Sequence, residues 1–147
     1  MKPFRTTIRV QYSDTDKMMV VYHANYLKYF QTARTEYFRE AGFPYSDMEK
    51  GDFQMPVLSV NAKFREPAVY DEMVSVSCHI VKLGPASMEF EYEIRDAETG
   101  LLHVTGHSRH GFTNQALRPI PLKKKHPELY GFIEKLYQRD AEMNEKN

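Results

Sequence analysis

Two aspartates separated by a single residue, Asp14 and Asp16, end the run Tyr12-Ser13-Asp14-Thr15-Asp16, and His23 and Asn25 follow after a short apolar link. A carboxylate can attack a carbonyl directly or take a proton from water as a general base. Either role is strengthened by a donor aimed at the charge that develops on the carbonyl oxygen. A helix start supplies such donors, because its first N–H groups have no acceptor within the helix and the helix dipole makes that end positive. On residue type alone the acids stay open to other meanings, since aspartate is common at turns and caps.

The elements that must position this junction are legible in the hydrophobic periods. Phe4, Thr6, Ile8, Val10 and Tyr12 alternate with Arg5, Thr7, Arg9 and Gln11, which predicts a half-buried strand, and residues 13–19 break the pattern as a loop. From 23 to 41 the period becomes helical, with Tyr26, Leu27, Phe30, Ala33, Tyr37, Phe38 and Ala41 forming an apolar stripe that Gly42 ends. Residues 44–51 read as a polar connection with room for a helical turn. Four strand-like runs follow at about 53–66, 73–83, 87–96 and 101–114, broken by Pro67, Gly84-Pro85 and Glu98-Thr99-Gly100. Short turns between consecutive strands predict an antiparallel meander. After Arg118-Pro119-Ile120-Pro121, a closing helix at about 126–140 carries Leu129, Phe132, Ile133 and Leu136 inward, and residues 141–147 are expected to fray. The fold class is α+β, with a five-stranded antiparallel sheet around one long helix. All 147 residues are expected to form one domain with a core at about 4–122.

Composition narrows the classes. Twenty basic and twenty acidic residues balance, which gives no reason to expect nucleic acid as a partner. No run approaches the ~20 apolar residues of a membrane helix, and the first residues lack the apolar stretch of a secretory signal. Cys78 is the single cysteine, so no intrachain disulfide forms; it is expected to be a small buried apolar residue in a cytoplasmic protein. Other motifs fail. Asp14-Thr15-Asp16 has the D-x-D spacing of aspartyl phosphotransferases, but those need a parallel α/β core. His103, His107 and His110 lie close together, yet on a regular strand only the first two share a face, and no acid or cysteine in the run completes a metal set. No metal and no cofactor are therefore expected. Neither G-x-S-x-G nor a P-loop occurs. The acidic row Glu89, Glu91 and Glu93 and the basic run Lys123 to Lys125 read as solvated surface.

The segment 12–16, followed by Val20-Val21-Tyr22-His23-Ala24-Asn25-Tyr26 and Ala33-Arg34-Thr35-Glu36, resembles the hotdog-fold acyl-CoA thioesterases of the 4-hydroxybenzoyl-CoA thioesterase family. Phe64-x-x-Pro67-Ala68 and residues 118–121 support the likeness, which spans about 5–122. The resemblance implies a sheet wrapped around the long helix, sheets joined into a homodimer or homotetramer, and active sites at the subunit interface. It places the catalytic carboxylate on Asp16, as nucleophile or general base. It places the backbone N–H of His23 at the thioester carbonyl, with Tyr22 and the His23 side chain lining the pocket. Asp14 is expected to bond loop amides or the helix start, Asn25 to brace the helix, and Glu36 to pair with Arg34 or Arg39. One position departs from the family, which usually has glycine where this chain has Met19. No cationic cluster for the coenzyme phosphates stands near Gly84, where Lys82 is a weak candidate.

The expected function is hydrolysis of a short-chain or aromatic acyl-CoA to free acid and coenzyme A. Two other readings stay open: a non-catalytic hotdog protein that binds acyl-CoA or acyl carrier protein, and a hotdog dehydratase.

Overall fold

Alternating burial along the strands builds one sheet. The computed structural model describes residues 3–42 and 53–145. Strands β1 (Arg5–Arg9), β2 (Val57–Phe64), β3 (Met73–Leu83), β4 (Ser87–Asp96) and β5 (Leu102–Gly111) pair antiparallel in the order β1-β3-β4-β5-β2. Helix α1 (Asn25–Glu40) crosses one face, and the short α2 (Leu122–Lys125) leads into α3 (Pro127–Glu145). The expected connection at 44–51 lies outside the described residues.

The helix face of the sheet carries Val74, Val76, Cys78 and Ile80 from β3, and Met88, Phe90, Tyr92 and Ile94 from β4, all buried. Against them α1 turns Tyr26, Tyr29, Phe30, Ala33, Tyr37 and Phe38. Phe30 stacks on Tyr92 with ring centroids 4.3 Å apart, and the close approach needs Gly106 on β5. A Cβ there would sit 2.3 Å from the Phe30 ring. Two details of the stripe differ from the sequence reading. Leu27 is exposed, whereas Tyr29 and Arg34 are buried, because polar partners inside the fold (below) accommodate their heads. Gly42 ends the helix with φ +96° and donates its N–H to Arg39 O at 3.0 Å, the left-handed stop its type favours.

The simple meander is corrected. β3, β4 and β5 follow one another, but β2 pairs with β5 at the far edge and not with its successor β3. The connection at 65–72 contains Pro67 and is too long for a tight hairpin. It passes under the first turns of α1, where it becomes part of the site. At the other edge β1 covers only Met73 to Ser77 of β3. Beyond that point α3 takes over: the buried Asp140 carboxylate accepts the Ile80 N–H at 2.9 Å and the Tyr37 hydroxyl. A sheet edge is thus satisfied by a helix side chain. This is why the last helix runs on to Glu145 where fraying was expected from residue 141.

Candidate active site

The acid loop starts where β1 loses its partner strand. Val10, fully buried, exchanges hydrogen bonds with Glu72 O (2.9 Å) and the Asp71 N–H (3.0 Å), and a 3-10 turn over Tyr12–Asp14 follows. Asp14 is held at several points. Its Oδ2 accepts from the Gln11 N–H (3.0 Å) and the Tyr29 hydroxyl (2.8 Å). Its carbonyl accepts from the Tyr22 N–H (2.9 Å) and from Nδ2 of Asn25 (2.8 Å). Asp14 therefore ties the loop to the first turns of α1. Burial, and then the neighbouring Asp14 carboxylate, push the Tyr29 hydroxyl far above its usual range, so it stays a donor.

Asp16 is half-buried and differently placed. Its Oδ1 accepts the Met18 N–H at 2.8 Å, its N–H donates to Val20 O at 2.9 Å, and its carbonyl accepts the Met19 N–H at 3.0 Å. Oδ2 has no partner among the described residues. Met19, the departure from the family pattern, has φ +63°. The backbone is in the left-handed region that glycine occupies without penalty and other L-residues occupy at roughly 1–2 kcal/mol.

The loop is strapped to the connection at 65–72. Thr15 bridges Val21 and Val20 bridges Val69, while the Val21 N–H donates to Ala68 O (2.9 Å) and the Tyr70 N–H to Met19 O (3.0 Å). The Tyr26 hydroxyl accepts the Ala68 N–H at 3.1 Å from the helix side.

Helix α1 opens two residues later than the periodicity predicts, after a turn at His23 and Ala24. Its early amides bond back to Tyr22, His23 and Ala24, which leaves the N–H groups of His23 and Ala24 without acceptors among the described residues. Ala24 offers no side-chain cap, and the first turn holds no acid. The positive end of a 16-residue helix is thus left unbalanced by its own side chains. Tyr22 and His23 are both exposed, their rings 4.5 Å apart. His23 borders a cleft of about 390 Å³ with Val21, Tyr26, Phe64, Pro67 and His103; Tyr22 reaches that cleft only through its ring contact with His23.

The histidine run is rearranged by a β-bulge. Ile94 pairs with Val104 but Arg95 pairs with Leu102, so His103 is the extra residue on β5. It turns into the cleft, while His107 meets Glu89 (2.8 Å) and borders a hollow of about 290 Å³ on the sheet's outer face. The two do not share a face, contrary to the regular-strand reading. His103 also gathers acids that its own strand lacks. Its Nε2 lies 2.5 Å from Glu72 Oε2, and Asp96 completes a group whose ligand atoms fall within 4.8 Å. That is close enough to hold a cation, but each group has another partner: Nδ1 of His103 donates to Glu66 O (2.7 Å), and Asp96 Oδ1 accepts the N–H groups of Glu98 and Thr99 (2.8 Å each).

On the outer face two of the acidic row are paired across strands, Glu91 with His79 and Glu89 with His107 and Lys82, while Glu93 pairs with Arg95 on its own strand. Lys82, the weak phosphate candidate, is thus opposite a carboxylate. Glu36 pairs with Arg39 at 3.2 Å. Asp14 and Tyr29 lie fifteen residues apart and meet because Tyr29 sits one helical turn beyond Asn25. Sequence reasoning missed His103 and Glu72, since a bulge leaves no mark in hydrophobic alternation.

A sequence model of the thioesterase superfamily matches residues 18–103, beginning two residues after Asp16. The acyl-CoA thioesterase YbgC of Helicobacter pylori is 32% identical over 134 residues, covering 85% of this chain and 98% of that one. The acyl-CoA thioester hydrolase YbgC of Escherichia coli is 33% identical over 100 residues, 68% of this chain and 75% of that one. Among solved structures, the DHNA-CoA thioesterase of Staphylococcus aureus superposes with a TM-score of 0.86 at 33% identity, covering 97% and 94% of the two chains. The five-stranded antiparallel sheet around α1, the matched segment and these relatives agree: the chain belongs to the thioesterase superfamily, as a hotdog-fold acyl-CoA thioester hydrolase.

Proposed function

We propose that Asp16 is the working carboxylate of this hydrolase and that the His23 N–H polarises the thioester carbonyl. The observation that carries this reading is the contrast within the acid pair: Asp14 is bonded through Oδ2 and its carbonyl to Gln11, Tyr29, Tyr22 and Asn25, whereas the Asp16 carboxylate takes a single contact, from the Met18 N–H, beside a helix start with unused donors. Asp16 attacks the carbonyl to give a mixed anhydride that water then opens, or it takes a proton from the attacking water. In both routes the C–S bond breaks and coenzyme A leaves as the thiol. Single turnover in ¹⁸O-water tests the first route, because label enters Asp16 only when water opens an anhydride at the Asp16 carboxyl carbon.

The acyl group is proposed to enter the cleft beside His23. Tyr26 and Phe64 stand 5.8 Å apart there and His23 lies 6.1 Å from Phe64, walls suited to a flat ring. The S. aureus relative's name, a DHNA-CoA thioesterase, supports an aromatic over a short aliphatic acyl group. The edge strand β2 exposes Val57, Leu58, Val60 and Phe64, each at 41% or more, which supports pairing with β2 of a second copy into a homodimer. The single cysteine, Cys78, is buried and burial pushes its thiol well up, which fits a reducing cytoplasm. No helix among the described residues is long and apolar enough to cross a membrane.

Asp16→Asn should keep the wild-type melting temperature and lose at least ~10²-fold in kcat, measured as thiol release from a panel of aromatic and short-chain acyl-CoAs. Near-normal turnover would remove Asp16 from the mechanism. Binding without turnover by the wild-type protein across the panel would favour a non-catalytic binding protein.

A further inference from the structure

We infer that His103 and Glu72 are a positioning pair for the acid loop: a buried imidazole, turned inward by a β-bulge, fixes the connection at 65–72 to which that loop is strapped. The inference rests on Asp16 being the working carboxylate.

His103 is 2% exposed and is held at three points. Its Nδ1 donates to Glu66 O at 2.7 Å, its Nε2 lies 2.5 Å from Glu72 Oε2, and its own carbonyl accepts the Arg65 N–H at 2.8 Å. The imidazole thus spans the connection from its first residues to its last. Glu72 relays the hold inward. Its other carboxylate oxygen accepts the Val69 N–H at 3.1 Å, and its N–H donates to Val69 O at 3.2 Å. Val69 bridges Val20, and the Val20 carbonyl accepts the Asp16 N–H at 2.9 Å. On either side Ala68 and Tyr70 hold Val21 and Met19. An unbroken series of short contacts therefore runs from the β5 bulge to the amide of Asp16.

The loop needs this support because Asp14 holds only its two ends, at Gln11 and at the start of α1. The segment between carries Met19 in the left-handed region, a conformation that persists only where its surroundings impose it. His103 also borders the cleft, so a change there could act on substrate binding or on loop geometry. The two are separable. Loss of a lining residue raises KM, whereas displacement of the carboxylate and carbonyl donors lowers kcat.

The test compares His103→Gln, Glu72→Gln and the double variant with His107→Gln, which breaks a similar histidine–glutamate contact on the outer face. A misplacement of about 1 Å can cost up to ~10²-fold in rate. His103→Gln and Glu72→Gln are each expected to lower kcat by roughly tenfold or more, with KM within about twofold. The double variant should be no worse than the poorer single, because both act through one strap. His107→Gln should leave kcat unchanged. Amide hydrogen exchange reads the positioning without reference to turnover: the N–H groups of Asp16, Met19, Val21 and Tyr70 should exchange faster in His103→Gln, while those of β4 do not. That result together with an active Asp16→Asn would keep the strap and remove Asp16 from the chemistry. Unchanged exchange in the loop, a rise in KM alone, kcat values within twofold of wild type, or fully additive losses would overturn the positioning role.

Discussion

Polar side chains meet α1 at two places and are treated in opposite ways. Beneath the helix, between it, the sheet and α3, buried polar groups are drawn into hydrogen bonds with one another. Asp140 accepts the Tyr37 hydroxyl and the Ile80 N–H, and a chain of hydrogen bonds joins Arg34 Nη1, the Tyr92 hydroxyl, Ser108 Oγ and Nε2 of His110. In front of the helix, residues 15–24 keep a carboxylate oxygen and two helix-start amides without such closure, beside a methionine in the left-handed region. The first arrangement suits stability, since a buried polar group left unpaired costs about 1–3 kcal/mol. The second suits chemistry, since a donor or acceptor already spent on the protein has none to offer a substrate. A substitution beneath the helix should therefore change stability and leave turnover nearly alone, and one in front should do the reverse.

The largest stability effect is expected at Asp140. Asp140→Ala strands both the Tyr37 hydroxyl and the Ile80 N–H at an edge of β3 that no strand among the described residues covers. A loss of roughly 3 kcal/mol is expected in urea unfolding, with kcat and KM for the best acyl-CoA within about twofold of wild type below the transition. A tenfold fall in kcat with little change in the unfolding midpoint would break the comparison, because it would make the α3 junction part of the chemistry.

Much of this arrangement was legible before any coordinates. β3 and β4 have the predicted bounds, Gly42 stops the helix, and the acid pair abuts a helix start, because each rests on local periodicity or on one residue's backbone preference. The misses are non-local. The pairing of β2 with β5 depends on which edges are free once the sheet closes, which alternation within β2 does not encode. The burial of Arg34 depends on Tyr92, which lies 58 residues away. The inward turn of His103 depends on a single unpaired residue in β5. Met19 is intermediate. Its place in a position usually held by glycine was readable from the family pattern, and its φ of +63° gives the physical reason that glycine is favoured there.

A mid-sized effect is expected from pH and belongs to the closed region. Burial first, and then the nearby charge of Arg34, pull the His110 imidazole down to about 3. With His110 neutral, an unprotonated Nε2 can accept the Ser108 hydroxyl, and protonating Nε2 would remove that acceptor. The folded value lies below the ordinary imidazole value of ~6.5. The stabilisation is therefore fully present above about pH 6.5 and is lost as the pH falls toward about 3, amounting to about 2 kcal/mol by pH 5. Urea midpoints measured from pH 7 to 5 should fall more steeply for wild type than for His110→Gln, in which this titration is absent. Parallel slopes would mean that carboxylates alone set the acid limb.

The smallest effect probes the open region from its strained residue. Met19→Gly removes the left-handed penalty of roughly 1–2 kcal/mol but also loosens the unfolded chain, which takes back roughly 0.4–1 kcal/mol, so a net gain of up to about 1.6 kcal/mol is expected. Met19→Ala keeps a Cβ in the same backbone and should gain nothing. The pair therefore separates backbone strain from loss of the methionine side chain. If the loop is positioned by its straps, as the bonds of Met19 to Asp16 and Tyr70 indicate, Met19→Gly should leave kcat within about threefold while raising the unfolding midpoint. A gain in stability joined to a large loss of kcat would show instead that the strain itself sets the angle at which Asp16 is presented, and the division between a closed, stabilising region and an open, reactive one would then have to be redrawn through Met19.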